Sequence, residues 1–249
     1  MRIALISDLH GNLAALDAVL ADIDRNGVDQ LVCLGDVATL GPQPREVLAR
    51  LQGRACVCIL GNHDAFLLDP ALVHSYSDVP IIIAAVEWCR TQLHDADLAF
   101  VRTFVGEHTV ALPGKQTLLL FHGTPRSNME DALATTPPEQ LDAMLAGRHA
   151  TLVAGGHTHI QMLRQHNGLL WLNPGSVGMP FRAYAHNGPP QLMHHAEYAV
   201  VEAEVGAVSV TLKRVAVDLA AVRAAVVASS NPLAGMLAAG LGSVSGMRT

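Results

Sequence analysis

Five short motifs in this 249-residue chain place carboxylate, imidazole and carboxamide groups at spacings suited to metal and acid–base chemistry. They are Asp8-x-His10, Gly35-Asp36, Gly61-Asn62-His63-Asp64, His122-Gly123 and Gly155-Gly156-His157-Thr158-His159. Asp8 and His10 are two apart, as are His157 and His159, and on an extended chain each pair points to one side. Carboxylate and imidazole together suit Mn, Fe, Co or Zn, whereas Mg and Ca prefer oxygen alone. Seven nitrogen and oxygen ligands exceed what a single tetrahedral ion uses. Two ions about 3.5–4 Å apart, sharing one carboxylate, fit better. Two divalent ions less Asp8, Asp36 and a bridging hydroxide leave about one positive charge, enough to attract a phosphate anion. Taken singly, each motif has an ordinary explanation: Asp8 as a helix cap, Gly35-Asp36 as a turn, His122 as a satisfied core residue.

What separates a site from coincidence is where the elements put these residues. Residues 2–7 form a continuous apolar run, the pattern of a buried strand. Leu13, Leu16, Val19, Leu20 and Ile23 recur at helical spacing across residues 12–26, and Gly27 stops that helix. A strand at 30–34, a helix at 44–52 and a strand at 54–60 complete a β-α-β-α-β series, which predicts a parallel sheet with helices packed on it. Residues 65–105 read as a helical insertion with a break at 77–80. Strands follow at 109–112 and 117–121 around a Pro113-Gly114 turn, then a helix at 138–146 and an apolar run at 151–154. Asn167-Gly168 signals a tight hairpin.

After Asn173 an irregular stretch rich in Pro, Gly and His reaches about His195. A hairpin of 198–204 with 207–217, a helix at 219–228 and a fraying tail at 235–249 end the chain. Each of the five motifs closes a candidate strand. Ligands bind outside the carboxyl ends of strands in open α/β sheets, so these side chains are expected to converge. No internal repeat or linker appears, and one domain over residues 1–249 is expected.

Composition narrows the function. Sixteen Lys+Arg against 22 Asp+Glu give a net charge of −6, with no basic cluster, which argues against extended nucleic acid as a partner. Half the residues are hydrophobic and 15% are charged, which excludes global disorder. No run approaches the roughly 18 apolar residues of a spanning helix, so no membrane partner is expected. The apolar run Ile3–Ile6 is too short for a signal-peptide core, so export by that route is not expected and a cytoplasmic location is. Cys33, Cys56, Cys58 and Cys89 contain no CxxC pair. Cys56 and Cys58 would share one side of a strand, but reduced core thiols are the plainer reading.

The series Asp8-x-His10, Gly35-Asp36, Gly61-Asn62-His63-Asp64, His122 and Gly156-His157-x-His159 resembles the calcineurin-like metallophosphoesterases, nearest their compact bacterial and archaeal phosphodiesterase branch. Ser7-Asp8-x-His10-Gly11-Asn12 and Asn173-Pro174-Gly175-Ser176-Val177-Gly178 extend the likeness. The resemblance implies an α/β fold, a four-layer αββα sandwich of two mixed β-sheets flanked by helices. It also implies two divalent metal ions, with Mn or Fe favoured over Co or Zn. The first would be held by Asp8, His10, Asp36 and His159, the second by Asp36, Asn62, His122 and His157, with Asp36 bridging. His63 would protonate the leaving oxygen, Asp64 would orient it, and Asn12 would contact a phosphate oxygen.

The reaction implied is attack by a metal-bridging hydroxide on a small phosphodiester or nucleotide, such as a cyclic nucleotide or dinucleoside polyphosphate. The alternatives are a phosphomonoesterase, protein phosphatases included, and a non-catalytic scaffold, against which the presence of His63 weighs. Arg182, Phe181 and Arg126 are candidates to meet a base or distal phosphates, beside a plainer reading as solvated arginines and a packing ring. His186, His194 and His195 read as loop histidines, and His74, His94, His108, His149 and His166 as structural. Exposed helices and the last hairpin offer a surface for a homo-oligomer.

Overall fold

Ile3 and Leu5 point to one side of the first strand and Ala4 and Ile6 to the other, and all four are fully buried. A strand buried on both faces needs a layer on each side, and the remaining elements supply them. The computed structural model describes residues 1–185 and 188–241. Its elements run β1 (Arg2–Ile6), α1 (Leu13–Asn26), β2 (Gln30–Cys33), α2 (Pro44–Gln52), β3 (Cys56–Cys58), α3 (Asn62–Leu68), α4 (Val73–Tyr76), α5 (Pro80–Gln92) and α6 (Asp95–Val101). Then come β4 (His108–Leu112), β5 (Gln116–Leu120), α7 (Pro138–Leu145), β6 (Leu152–Ala154), β7 (Met162–His166) and β8 (Leu169–Asn173). The last are β9 (His195–Glu204), β10 (Ala207–Ala216), α8 (Leu219–Ala228) and α9 (Ala234–Gly240). His186 and the end of the predicted tail, residues 242–249, lie outside the described residues.

Two five-stranded mixed sheets form, in the orders β10-β9-β1-β2-β3 and β4-β5-β6-β8-β7. β1, β2 and β3 are parallel to one another, and β9 joins β1 antiparallel. Between the sheets, Ile3, Leu5, Val32 and Leu34 of the first meet Leu118, Leu120, Leu152 and Leu172 of the second. On the outer side of the first sheet, Ala4, Ile6 and Cys33 pack under α1 and α2. On the outer side of the second, Leu119, Phe121 and Trp171 pack under Leu141, Met144 and Leu145 of α7. This is the four-layer αββα sandwich that the resemblance implied. No helix among the described residues is long and apolar enough to cross a membrane.

The structure trims or extends several predicted elements. β3 keeps only three of the predicted seven residues in register with β2, although Ile59 N still donates to Cys33 O at 2.8 Å and Leu60 N donates to Val105 O on the opposite edge. β9 starts at His195, three residues earlier than expected, since His195, Ala196 and Glu197 pair with Ala216, Val215 and Arg214. A buried glutamate inside that run hides the strand from an apolar-pattern reading. The Asn167-Gly168 hairpin is present, with φ 45° and 84° at the two turn residues.

Leu5 lies at the centre of the inter-sheet layer with no exposed surface. Replacing it with alanine leaves a cavity there and is expected to destabilise the protein by about 2–5 kcal/mol. Urea unfolding should show a lower midpoint at an unchanged slope. An unchanged midpoint would mean that the two sheets do not depend on this layer.

Candidate metal centre

Five of the motif residues sit in the left-handed region of backbone space, with φ of 55° at Asp8, 43° at His10, 57° at Asp36, 69° at His157 and 58° at His159. The extended geometry expected for the Asp8/His10 and His157/His159 pairs is therefore not what aims them. Each chain instead turns sharply where its strand ends, at a cost of order 1–3 kcal/mol per residue, and hydrogen bonds hold the turns in place. Asp8 N donates to Gly35 O at 2.9 Å and His10 N to Asp36 O at 3.0 Å, so the ends of β1 and β2 stay in step. His157 N donates to Asp8 Oδ2 at 3.1 Å, which joins the loop after β6 to the loop after β1. Ser176 Oγ donates to Asp8 O at 2.7 Å and Asn173 Nδ2 to Gly156 O at 2.6 Å. The Asn173–Gly178 motif thus braces two ligand loops rather than lining the site.

Close approach also requires glycine. A Cβ at Gly61 would run into the Asp36 carboxylate, and one at Gly156 into the Ser7 hydroxyl. Helix α3 begins at Asn62, ahead of the predicted residue 65. Asp64 accepts from Gly61 N at 3.0 Å and so caps its first turn. That early start turns Asn62 and His63 into the pocket, where they are 0% and 4% exposed.

Two triads result, Asp8/His10/His159 and Asp36/His122/His157, each with its candidate ligand atoms within 4.8 Å of one another. In the first, His10 Nε2 lies 3.0 Å from His159 Nε2, and Asp8 Oδ1 lies 3.5 Å from the latter. In the second, His122 Nε2 lies 3.3 Å from Asp36 Oδ2 and 3.1 Å from Asn62 Oδ1. Asp36 Oδ2 is also 3.9 Å from His10 Nε2, so this carboxylate reaches both groups. His122 Nδ1 donates to Leu34 O and His159 Nδ1 to Met179 O, both at 2.7 Å, which leaves each Nε2 to face the cluster.

Electrostatics record the crowding. Burial raises the Asp8 carboxyl above its ordinary value even though His159 and His122 oppose it. Burial works the same way on Asp36, but His122, His63 and His10 overcome it and hold that carboxyl well below the usual range. Burial also disfavours charge on His122, yet Asp36 and Asp8 carry its imidazole up to about 9. His157, desolvated and beside His122, falls to about 3. His122 thus stands as an imidazolium between two carboxylates, with its Nε2 proton where a cation would sit.

Divalent cations fit these residues. Asp8 Oδ1 is buried without a hydrogen-bond partner, and two imidazole nitrogens of the first triad face each other as ligands of one ion do. Each triad mixes imidazole with carboxylate, the donor set of Mn, Fe, Co or Zn. Asn62 sits beside the second triad.

The other predicted residues fall in different places. The His63 ring lies edge-on to His10 with centroids 5.2 Å apart, and its Nδ1 has no hydrogen-bond partner. Asp64 makes no hydrogen bond to His63; its oxygens accept from the backbone N–H groups of Asp36, Val37 and Gly61. It positions the Asp36 turn, and it touches His63 only through their shared helical turn. Asn12 caps α1 by accepting from Ala15 N at 3.2 Å and donates to Gly178 O at 3.0 Å. Phe181 stacks on His159 with ring centroids 4.2 Å apart. Arg182 is exposed, and Arg126 is paired with Glu130. Tyr76, Asp131 and Tyr184 border the cluster too, but a lone tyrosine in a helical insertion or an aspartate in a loop carries no spacing signal.

The profile of the calcineurin-like phosphoesterase superfamily domain matches residues 1–223. The chain belongs to that superfamily. Helix α9 lies beyond the matched span. Among related calcineurin-like phosphoesterases, the chain is 28% identical over 190 residues to phosphodiesterase YfcE of Escherichia coli K12, covering 72% of this chain and 81% of that protein. It is likewise 28% identical over 193 residues to protein MJ0912 of Methanocaldococcus jannaschii, covering 72% and 76%. A metallophosphoesterase from Sphaerobacter thermophilus superposes with a TM-score of 0.71 at 26% identity, over 96% of this chain and all of the other. As a calcineurin-like phosphoesterase the protein is a phosphoric ester hydrolase.

Asp36→Asn should lower the content of both metals in elemental analysis, since one carboxylate serves both triads; two ions retained at full occupancy would contradict the sharing. Metal loading should also be proton-coupled. Below pH 9 His122 holds a proton that Nε2 must give up before it can ligate, so Mn²⁺ affinity is expected to rise with pH, by up to about tenfold per unit. Calorimetric titration at pH 7.5 in two buffers of different ionisation enthalpy should register at least one proton released.

Proposed function

We propose that this protein is a binuclear-metal-dependent phosphodiesterase acting on small phosphodiesters, nucleotides among them. The observation that carries the reading is the pair of Asp/His triads with Asp36 within reach of both and the His63 ring beside them. The first ion would be held by Asp8, His10, Asp36 and His159, the second by Asp36, Asn62, His122 and His157. Bound there, two divalent ions, Mn or Fe by preference, would supply Lewis acidity toward the phosphoryl oxygens and an activated water as nucleophile.

The chain's own residues do the rest. Burial depresses the His63 imidazole, with Asp36 opposing, so the ring gives up readily a proton that it carries. It gives its proton to the leaving oxygen as the phosphorus–oxygen bond breaks. Asp64 holds the Asp36 turn, and Asn12 meets a phosphate oxygen from the start of α1. Phe181 offers its ring to a base, Arg182 reaches a distal phosphate, and Arg126 joins when its Glu130 pair opens. The relationship to phosphodiesterase YfcE supports the diester reading. The free cysteines suit a reducing cytoplasm.

Metal-stripped protein titrated with Mn²⁺ should hydrolyse bis-p-nitrophenyl phosphate, and faster than p-nitrophenyl phosphate. Preference for the monoester would move the reading to a phosphomonoesterase, and inactivity on both with two ions bound would point to a scaffold. His63→Ala should keep both metals yet lose about 10²–10⁴-fold in turnover on poor leaving groups. Metal loss in that variant would remove the general-acid assignment.

A further inference from the structure

We propose that Asp131, on the solvent side of His157, is a charge filter that favours monoanionic phosphodiesters over dianionic phosphomonoesters. The inference rests on the phosphodiesterase reading above and names what sets its substrate class.

Asp131 lies in the irregular segment that follows His122, outside both triads. Its Oδ1 is 3.5 Å from His157 Nε2, and its side chain is 36% exposed where that of His157 is 4% exposed. The carboxylate therefore faces the second triad from the solvent side. Its other oxygen accepts a hydrogen bond from the Tyr184 hydroxyl, which ties it to the segment carrying Phe181 and Arg182. Tyr76 closes the neighbouring edge, with its ring centroid 5.7 Å from that of His63 and 6.1 Å from that of His157. A substrate phosphate beside His157 would thus lie next to a carboxylate that the Tyr184 hydroxyl holds in place.

Charge decides what passes. With two divalent ions, the carboxylates of Asp8 and Asp36 and a nucleophilic hydroxide, the centre keeps about one net positive charge. Asp131, beside His157, would offset that remainder. A phosphodiester carries one negative charge, whereas a monoester carries close to two above its second pKa near 6. The repulsion from Asp131 is therefore nearly doubled for the monoester, while the diester still gains its contacts with the centre.

The test compares full-length wild type with Asp131→Asn, both loaded with Mn²⁺, by calorimetric titration at pH 8 with inorganic phosphate and with dimethyl phosphate. Asp131→Asn should bind inorganic phosphate about tenfold more tightly and dimethyl phosphate less than about threefold more tightly. The ratio of kcat/KM for p-nitrophenyl phosphate to that for bis-p-nitrophenyl phosphate should rise about tenfold, and Asp131→Glu should restore the wild-type ratio. Equal changes for the two anions, no change for either, or no binding by either protein would overturn the filter. So would loss of a metal ion in elemental analysis of Asp131→Asn, which would make Asp131 a ligand. Anion binding needs no turnover, so an inactive enzyme that still shows the phosphate shift would sink the phosphodiesterase reading and leave the filter standing.

Discussion

Before any metal binds, the imidazolium of His122, held between the carboxylates of Asp36 at 3.3 Å and Asp8 at 4.0 Å, is the interaction that joins the two halves of the site. Two carboxyl groups buried in one pocket repel each other, and in a low-dielectric interior an unpaired one is costly. His122 supplies the compensating charge from the second sheet, while both carboxylates belong to the first. Its Nδ1 donates across the sandwich to Leu34 O, so the site sits directly on the seam where the sheets meet. The apolar layer of Leu5, Leu34, Leu120 and Leu172 is then more than a stabilising core. It sets the distance between opposite charges.

Much of this was legible in the residues. The helix over 44–52 and the hairpin at Asn167-Gly168 stand where Pro, Gly and apolar spacing put them, and Asp8, His10, Asp36, His122, His157 and His159, picked out by type at strand ends, do gather into two triads. Pattern reading failed where polar residues are buried or where the backbone leaves ordinary geometry. Asn62 and His63 open a helix although neither is apolar, because Asp64 caps it from the N3 position. Glu197 interrupts the apolar run of β9 and shortened the expected strand. The ligand pairs were expected to point together because the chain was extended. They do point together, but through left-handed turns that no period of two describes.

Those turns show how the fold meets the cost of its site. Each left-handed Asp or His is fixed by at least one neighbour that its own sequence motif does not contain: Gly35 and Ser176 for Asp8, Asp36 for His10, Asp64 for Asp36, Asp8 for His157, Met179 for His159. Strain is thereby spread over segments distant in sequence. A motif moved alone into another scaffold would relax to ordinary backbone geometry and lose its aim.

The strand order carries a consequence for synthesis. β1, which ends two residues before Asp8, has β2 on one side and β9 on the other, and β9 begins at His195. At about 5–20 residues per second, a ribosome needs about 10–40 s to travel from one to the other. Through that interval the nascent chain exposes an unsatisfied edge of β1, and His159 has yet to meet His10. Completion of the Asp8/His10/His159 triad is thus a late event in the life of the polypeptide, and the unfinished edge is where a chaperone or a stray β-strand would find it first.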